Sequence, residues 1–175
     1  MIRGERVILR PVRPEDINRW MIWFNDPEVI AHLSGGVIYG ATREQEQEFY
    51  HQITHLPNNK IFTIMDENGR QIGNIGTHNI NWEWRNATLG IVIGEKDYWG
   101  RGYGTDAMKT FINFAFNMMN LRRLSLDVFA DNKRGIRCYE KAGFVVEGIK
   151  RQERYYNGKY SDVVIMGILK EELPE

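Results

Sequence analysis

A glycine-rich segment in the middle of the chain limits the possible folds more than any other feature. Gly100, Gly102 and Gly104 alternate with other residues and lead directly into an amphipathic stretch, 103–119. Glycine tolerates positive φ and lets backbone N–H groups converge on one point. A helix N-terminus adds unpaired N–H donors and a positive dipole end. The segment therefore predicts a cradle for an anion, best suited to a pyrophosphate; a tight turn without a ligand is the alternative.

The hydrophobic pattern on either side of this segment predicts helices and strands in alternation. Apolar residues at helical spacing predict helices from Pro14, over 42–55, over 103–119 and from Asn132 to Gly143. Apolar or alternating runs predict strands over 6–12, 60–65, 71–80, 87–94, 122–130, 144–156 and 159–169. Turn residues at 66–69 and 157–158 predict two hairpins, and residues 34–40 predict a loop. This order is typical of a mixed α/β domain with antiparallel strands in its first half.

Composition excludes several classes of protein. The 175 residues include 23 Lys and Arg and 23 Asp and Glu, and a chain without a basic excess is a poor nucleic-acid binder. The 42% of hydrophobic residues can form a core, and we expect one domain over residues 1–175. No apolar run approaches the length of a membrane span and no signal peptide is visible, so we expect a soluble, cytoplasmic protein without a membrane partner. The single cysteine, Cys138, allows no internal disulfide.

Two classes of phosphate ligand can be weighed from the glycines alone. Gly102, Gly104 and Ala107 match the G-x-G-x-x-A form of the dinucleotide fingerprint, and Asp127 follows about 20 residues later. In that fold, however, the glycines directly follow a strand, whereas residues 94–99 intervene here. A nucleotide-triphosphate loop is excluded because no Lys-Ser/Thr pair follows the glycines. A dinucleotide-binding oxidoreductase therefore remains only an alternative.

Two segments together resemble the GNAT superfamily of acetyl-CoA-dependent N-acetyltransferases. The pyrophosphate loop of that family, Arg/Gln-x-x-Gly-x-Gly/Ala, is similar to residues 99–104, with Trp99 in place of the leading Arg or Gln. Its second signature, an Asn leading to Tyr-x-Lys-x-Gly-Phe, is similar to residues 132–144, which include Asn132, Tyr139 and Lys141. Residues 5–11 resemble the opening of the branch that contains ribosomal-protein N-terminal and spermidine/spermine acetyltransferases. The resemblance covers nearly the whole chain.

The resemblance implies an α/β (α+β) fold with a mixed, mostly antiparallel sheet and helices on both faces. Its fourth and fifth strands, 87–94 and 122–130, should splay apart. It also implies acetyl-CoA as co-substrate, with no metal. The pantetheine arm should pair with the backbone of Ile91, Val92 and Ile93 and with Asn132. The phosphate end should be held by a group that comprises Trp99, Gly100, Arg101, Gly102, Tyr103, Gly104, Thr105 and Lys141.

The chemistry implied by the resemblance is direct attack of an amine on a thioester, which raises two proton-transfer requirements. The leaving thiolate benefits from a proton, and Tyr139 matches the general acid of the family; packing against the sheet is its alternative role. The attacking amine must lose a proton, yet Thr88 stands where related proteins carry a Glu. Glu83, His78 or ordered water is then the candidate base, although Glu83 fits an exposed loop and His78 a structural histidine. Cys138 is expected to be a core residue rather than a nucleophile.

The acceptor is predicted to be a primary amine of a protein N-terminus, a polyamine or another small molecule. Trp20 is expected in the core, whereas Trp23 lies off the apolar stripe and is predicted at a surface or pocket. The acidic run Glu44, Glu46 and Glu48 predicts a solvated helix face, with an acidic acceptor pocket as the alternative. A non-catalytic acyl-CoA-binding domain is the rival function. A homodimer or higher homo-oligomer is permitted by the exposed aromatic positions.

The neutral net charge conceals an uneven distribution. Residues 95–160 contain 13 Lys and Arg against 8 Asp and Glu, and the rest of the chain contains 10 against 15. The basic segment includes Arg101, Lys133, Arg134, Arg137 and Lys141, close in sequence to the predicted phosphate site. We therefore expect a polyanionic co-substrate on one side and a cationic amine on the other.

Overall fold

The computed structural model describes residues 1–33 and 39–173, so most of the loop predicted over residues 34–40 lies outside the described residues. The eight strands found within these ranges join one sheet in the order β1-β2-β3-β4-β5-β6-β8-β7. Neighbouring strands are antiparallel except β5 and β6, which are parallel. The strands are β1 (Ile2–Arg3), β2 (Val7–Pro11), β3 (Lys60–Asp66), β4 (Gln71–Asn81), β5 (Asn86–Ile93), β6 (Arg123–Phe129), β7 (Val145–Tyr156) and β8 (Lys159–Leu169).

In the described part of the chain, the strands are connected by the helices α1 (Ile17–Trp23), α2 (Pro27–Ile30), α3 (Arg43–His55), α4 (Tyr103–Asn117) and α5 (Lys133–Lys141). Helix α3 begins at the predicted capping box, in which Thr42 and Gln45 exchange backbone and side-chain hydrogen bonds of 2.9 and 3.3 Å. Helix α2 was not predicted because it is only one turn long. It starts at Pro27, and the carboxylate of Asp26 accepts a hydrogen bond from Glu28 N (2.9 Å).

Helices cover both faces of the sheet, as predicted. Alternation along β3 shows the two layers, because successive side chains of a strand point to opposite faces. Phe62 and Ile64 pack with α4, whose Phe111 and Phe116 are fully buried. Ile61 packs on the other face, in a cluster that contains apolar residues of α1 and α3. No helix within the described ranges is long and apolar enough to cross a membrane.

The prediction that Trp23 lies at a surface or pocket is wrong. Its side chain is 1% exposed and its indole packs on Gly94, at a point where any side chain would collide with the ring. The indole Nε1 donates a hydrogen bond to Glu95 Oε1 (2.8 Å), and Arg70 pairs with the same carboxylate. Trp23 is the last residue of α1, and its ring lies against Gly94, directly after β5. Its position off the helical stripe therefore does not expose it.

The acidic run on α3 is not uniformly solvated. Glu44 and Glu48 are exposed as predicted, but Glu46 is 7% exposed because it lies on the side of α3 that faces the sheet layer. Burial raises the pKa of Glu46 to about 7. Within the described part of the chain, no group donates a hydrogen bond to its Oε2. Glu46 is therefore a buried carboxyl close to its titration point at neutral pH.

A buried ion pair joins the first helical turn to the sheet. Arg10 on β2 donates hydrogen bonds of 2.6 and 2.9 Å to the carboxylate of Asp16, which is 2% exposed. Asp16 also accepts from Thr63 Oγ1 on β3 (2.6 Å) and from Arg13 N (2.9 Å). Burial alone would raise the pKa of Asp16, but the hydrogen bonds from Arg10, Thr63 and Arg13 outweigh it, and the pKa lies below its usual value.

Substitution of Asp16→Asn should lower the free energy of unfolding by about 3 kcal/mol at pH 7, because it leaves Arg10 buried without its counter-ion. A carboxyl group whose pKa is lowered by folding stabilises the folded state at pH values above its pKa in the unfolded chain. This stabilisation is lost on acidification. At pH values below about 4, the free energy of unfolding of the wild type should therefore decrease with pH more steeply than that of the variant. Urea denaturation at several pH values measures both, with the exposed neighbour Glu15→Gln as control. Equal stability of Asp16→Asn and wild type would contradict this role.

Candidate active site

The strands β5 and β6 pair over only three residues. Residues 86–88 of β5 match 123–125 of β6, and among the described residues the rest of β5 has no strand partner on this side. Strand β6 instead stays paired with β8 as far as Phe129. The predicted splay is thus present, and it leaves a cavity of about 380 Å³ next to the exposed backbone edge of β5. An extended chain can add to such an edge as a further strand would.

Most of the predicted co-substrate residues meet at this cavity. Those that line it are Ile91, Val92, Ile93, Trp99, Gly100, Gly102, Gly104, Thr105, Asn132 and Lys141, together with the predicted acid Tyr139. Arg101, Tyr103 and Glu83 are not among the lining residues. The sequence patterns did not single out Val29, His32 and Leu33, which approach from α2 and the residues after it, because no motif marks that short segment.

The glycine segment has the backbone geometry of an anion cradle. Gly100 (φ 71°) and Gly102 (φ 90°) both adopt left-handed conformations that side chains disfavour. The first backbone hydrogen bond of α4 runs from Asp106 N to Gly102 O (3.0 Å). The N–H groups that precede Asp106 in this turn are therefore available to a ligand, at the positive end of the helix dipole.

Arg101 and Tyr103 support the segment from outside the cavity with their side chains. The Arg101 guanidinium lies over the rings of Tyr98 and Tyr103, at 5.8 and 6.0 Å from their centroids. The backbone carbonyl oxygen of Arg101 accepts a hydrogen bond from Arg6 Nη1 (2.8 Å). The Tyr103 hydroxyl donates to Glu67 (3.0 Å). In this arrangement the groups of Arg101 and Tyr103 that face a phosphate are their backbone N–H groups.

Positive charge enters the cavity from α5. Arg134, Arg137 and Lys141 line it, and no Asp or Glu does so in the part of the chain that the structure describes. The Arg134 guanidinium lies 3.8 Å from the ring centroid of Trp99, whose Nε1 donates to Ile93 O (2.6 Å). Trp99, which replaces the family's leading Arg or Gln, thus holds an arginine against the cradle by a cation–π contact. The basic lining fits a polyanionic ligand.

Asn132 has both a structural role and a free donor. Its Oδ1 accepts a hydrogen bond from Gly135 N (2.9 Å) and so caps the N-terminus of α5. The residue is 8% exposed and lines the cavity, and its amide nitrogen donates to no other described residue. The side chain can therefore fix α5 and still donate to a ligand amide.

Tyr139 and Cys138 face the cavity from α5. Burial raises the pKa of the Tyr139 phenol far above its usual value, so the group stays protonated at neutral pH. Burial also raises the pKa of the Cys138 thiol, to which Thr105 Oγ1 donates at 3.5 Å. A protonated thiol is a weak nucleophile, which agrees with the expectation that Cys138 is not a nucleophile, although Cys138 is half-buried at the cavity wall rather than in the core. Tyr139 is thus available as a proton donor in the cavity.

The two side chains considered as bases lie in different surroundings. Glu83 belongs to the exposed turn between β4 and β5, and neither it nor His78 is among the residues that line the cavity. His78 on β4 lies opposite Thr88 of β5, and its imidazole packs beside Gly90. Burial lowers the pKa of His78, so the ring is neutral near pH 7 and can accept a proton. Strand alternation places His78, Thr88 and Gly90 on the sheet face of Val92, opposite α4.

Comparison with known proteins identifies the family. The acetyltransferase (GNAT) domain matches residues 6–145. The chain is 30% identical over 171 residues to the spermidine N(1)-acetyltransferase of Escherichia coli, covering 96% of this chain and 84% of that protein. It is 29% identical over 168 residues to the enzyme of the same name from Vibrio cholerae, covering 95% and 90%. A crystal structure of the Vibrio cholerae spermidine N-acetyltransferase with CoA and spermine has a TM-score of 0.87 at 25% identity, covering 95% of this chain and 96% of that one.

These similarities confirm three expectations from the sequence: the family, the mixed sheet with helices on both faces, and acetyl transfer as the reaction class. They exclude the dinucleotide-binding oxidoreductase, because the matched domain includes the whole glycine segment and the start of α5. This chain belongs to the GNAT family of acetyltransferases.

Proposed function

We propose that the protein transfers the acetyl group of acetyl-CoA to a primary amine of a small polyamine. The observation that carries the proposal is the opening between β5 and β6. One cavity there is lined by a glycine cradle for an anion, by basic side chains and by a protonated tyrosine. The spermidine acetyltransferases among the relatives support an amine with several positive charges as the acceptor. A protein N-terminus or another small amine is the alternative acceptor.

The residues at the cavity suit each part of CoA. Backbone N–H groups between Gly100 and Thr105 would hold the pyrophosphate, and Arg134, Arg137 and Lys141 would neutralise phosphate charge. The open backbone edge of residues 91–93 and the Asn132 amide would pair with the two amides of the pantetheine arm. The arm would then run along β5 toward the point at which β5 and β6 meet.

Acetyl-CoA supplies an activated thioester, so the chain has to manage protons rather than form a covalent intermediate. The thiolate that leaves, comparable to a cysteine with a pKa of about 8.5, needs a proton. Tyr139 donates it from its Oη. The burial that raises the pKa of this phenol raises that of a thiolate in the same cavity as well, so the proton transfer stays within reach.

Proton removal from the attacking amine falls to His78. An alkyl ammonium group has a pKa of about 10.4 and is charged at neutral pH. His78 is neutral there and lies beside Thr88 on the sheet face opposite α4, from which the amine would approach. Glu83, the base suggested by its sequence position, lies in an exposed turn and would require a chain of water molecules.

The first prediction concerns the acceptor. With acetyl-CoA as donor, release of free thiol should be fastest with spermidine or spermine, and slower with a peptide N-terminus or a monoamine of similar length. A colorimetric thiol assay across this panel, with mass spectrometry of the products, measures the preference. Binding of CoA without acetylation of any amine would favour the non-catalytic acyl-CoA-binding alternative instead.

A second prediction tests the acid. Tyr139→Phe should lower kcat about 100-fold, because the thiolate then leaves without a proton donor, while the Kd of CoA changes little. Steady-state kinetics and calorimetry measure the two effects separately. Tyr155→Phe, at an exposed tyrosine of β7, is the matched control. An unchanged kcat for Tyr139→Phe would show that the phenol only packs against α5 and the sheet.

A third prediction separates the two candidate bases. Since burial lowers the pKa of His78 from 6.5, kcat/KM of the wild type should fall as the pH drops below that value. His78→Gln should lower kcat/KM about 100-fold at pH 7 and abolish this acid limb. Glu83→Gln, measured in the same pH series, should retain the limb. Loss of the limb in Glu83→Gln but not in His78→Gln would assign the base to Glu83.

A further inference from the structure

Arg154 is an arginine of β7 whose side chain is almost entirely buried, with 10% of its surface exposed. Its guanidinium lies between two aromatic rings, 3.8 Å from the centroid of Phe129 and 4.4 Å from that of Tyr156. Nη2 donates a hydrogen bond to Ala31 O (2.5 Å), and Nη1 lies 3.4 Å from the Asp131 carboxylate. One side chain thus contacts β6, the hairpin of β7 and β8, the end of α2 and the residue before Asn132.

These contacts join separate walls of the cavity. Ala31 lies between Val29 and His32, which both line the cavity from the α2 side. Asp131 precedes Asn132, which lines the cavity from the start of α5. Strand β7 itself contributes no lining residue among those described. Arg154 therefore ties two walls to each other from outside, and no group of the glycine cradle is among its described contacts.

The contacts depend on the shape of the guanidinium as well as its charge. A planar group can stack between two rings and at the same time donate to a carbonyl and a carboxylate in its plane. A lysine ammonium cannot stack in this way, since its charge is a compact point on a flexible stem. The burial of a charge with one distant carboxylate partner is costly, so the stacking on the two rings and the hydrogen bond to Ala31 have to offset that cost.

On the basis of the proposed function, we propose that Arg154 is a positioning residue for acetyl transfer. It holds Ala31 and the adjoining Val29, His32 and Leu33 against the start of α5, and so fixes the width of the cavity at the end where β5 and β6 stand apart, beside Trp99 and Arg134. Loss of Arg154 therefore loosens the phosphate end of the cavity and weakens the binding of CoA.

His32 offers a reporter that does not depend on turnover. Partial burial, the largest cause, and then the charge of Arg134 hold the pKa of His32 below its usual value; Asp131 opposes them, and Arg154 adds to the lowering. Removal of Arg154 takes away a nearby positive charge and frees the wall that carries His32. Both changes raise the pKa of the imidazole, which NMR titration detects.

The experiment compares Arg154→Met, Arg154→Lys and the control Arg151→Met. Arg151 lies three residues away on β7 and is exposed, with no hydrogen-bond or ion-pair partner among residues 1–33 and 39–173. Arg154→Met should raise the Kd of CoA, measured by calorimetry, about tenfold, because a loosened wall has to be ordered when CoA binds. Arg154→Lys should restore little of this loss, and Arg151→Met should match the wild type.

Two results would overturn the proposal. If Arg154→Met lowers the melting temperature but leaves the Kd of CoA and the His32 titration at wild-type values, Arg154 only stabilises the hairpin. If Arg154→Lys behaves as wild type, the positive charge suffices and the stacking of the planar guanidinium has no role. Should the wild type acetylate no amine, the proposed function fails, but the pKa of His32 still decides whether Arg154 holds the wall, because Arg154→Lys keeps the positive charge and must nevertheless raise that pKa, whereas Arg151→Met must not.

Discussion

The short pairing between β5 and β6 is the feature on which the rest of the site depends. The two parallel strands share three residue pairs and then separate. On their outer sides, β5 stays hydrogen-bonded to β4 and β6 stays hydrogen-bonded to β8. The separation exposes one backbone edge of β5 inside the fold, where unpaired N–H and C=O groups would otherwise be costly. A ligand with amide groups satisfies that edge. The fold therefore leaves unpaired the same backbone groups that it needs for binding.

Two helices bring complementary chemistry to the two sides of this opening. Helix α4 follows β5 through the glycine segment, and α5 follows β6 through Asn132. Both helix N-termini consequently lie next to the cavity, one with left-handed glycines and one with a capped start and three cations. The uneven charge of the sequence has its basic part here, since Arg134, Arg137 and Lys141 all line the cavity.

The parts of the fold that could be predicted from the sequence are those set by local patterns. The capping box at Thr42, the glycines before α4 and the hydrophobic strands depend on neighbouring residues, and the second family signature located Tyr139 and Asn132. Trp23, Glu46 and Arg154 are different, because tertiary packing determines their burial. A helical stripe placed Trp23 outside the core, yet Gly94 leaves room for its ring at the end of β5. Nothing near Arg154 in the sequence marks its partner Ala31, which lies 123 residues earlier.

The central claim is that CoA lies in the opening between β5 and β6 with its sulfur at Tyr139. A crystal structure of the protein with CoA tests it most directly. It should show the pantetheine amides hydrogen-bonded to the backbone of Ile91–Ile93, the pyrophosphate on the N–H groups of 100–105, and the sulfur about 3–4 Å from Tyr139 Oη. A CoA molecule bound elsewhere, or bound in the opening with its sulfur directed away from Tyr139, would contradict the claim.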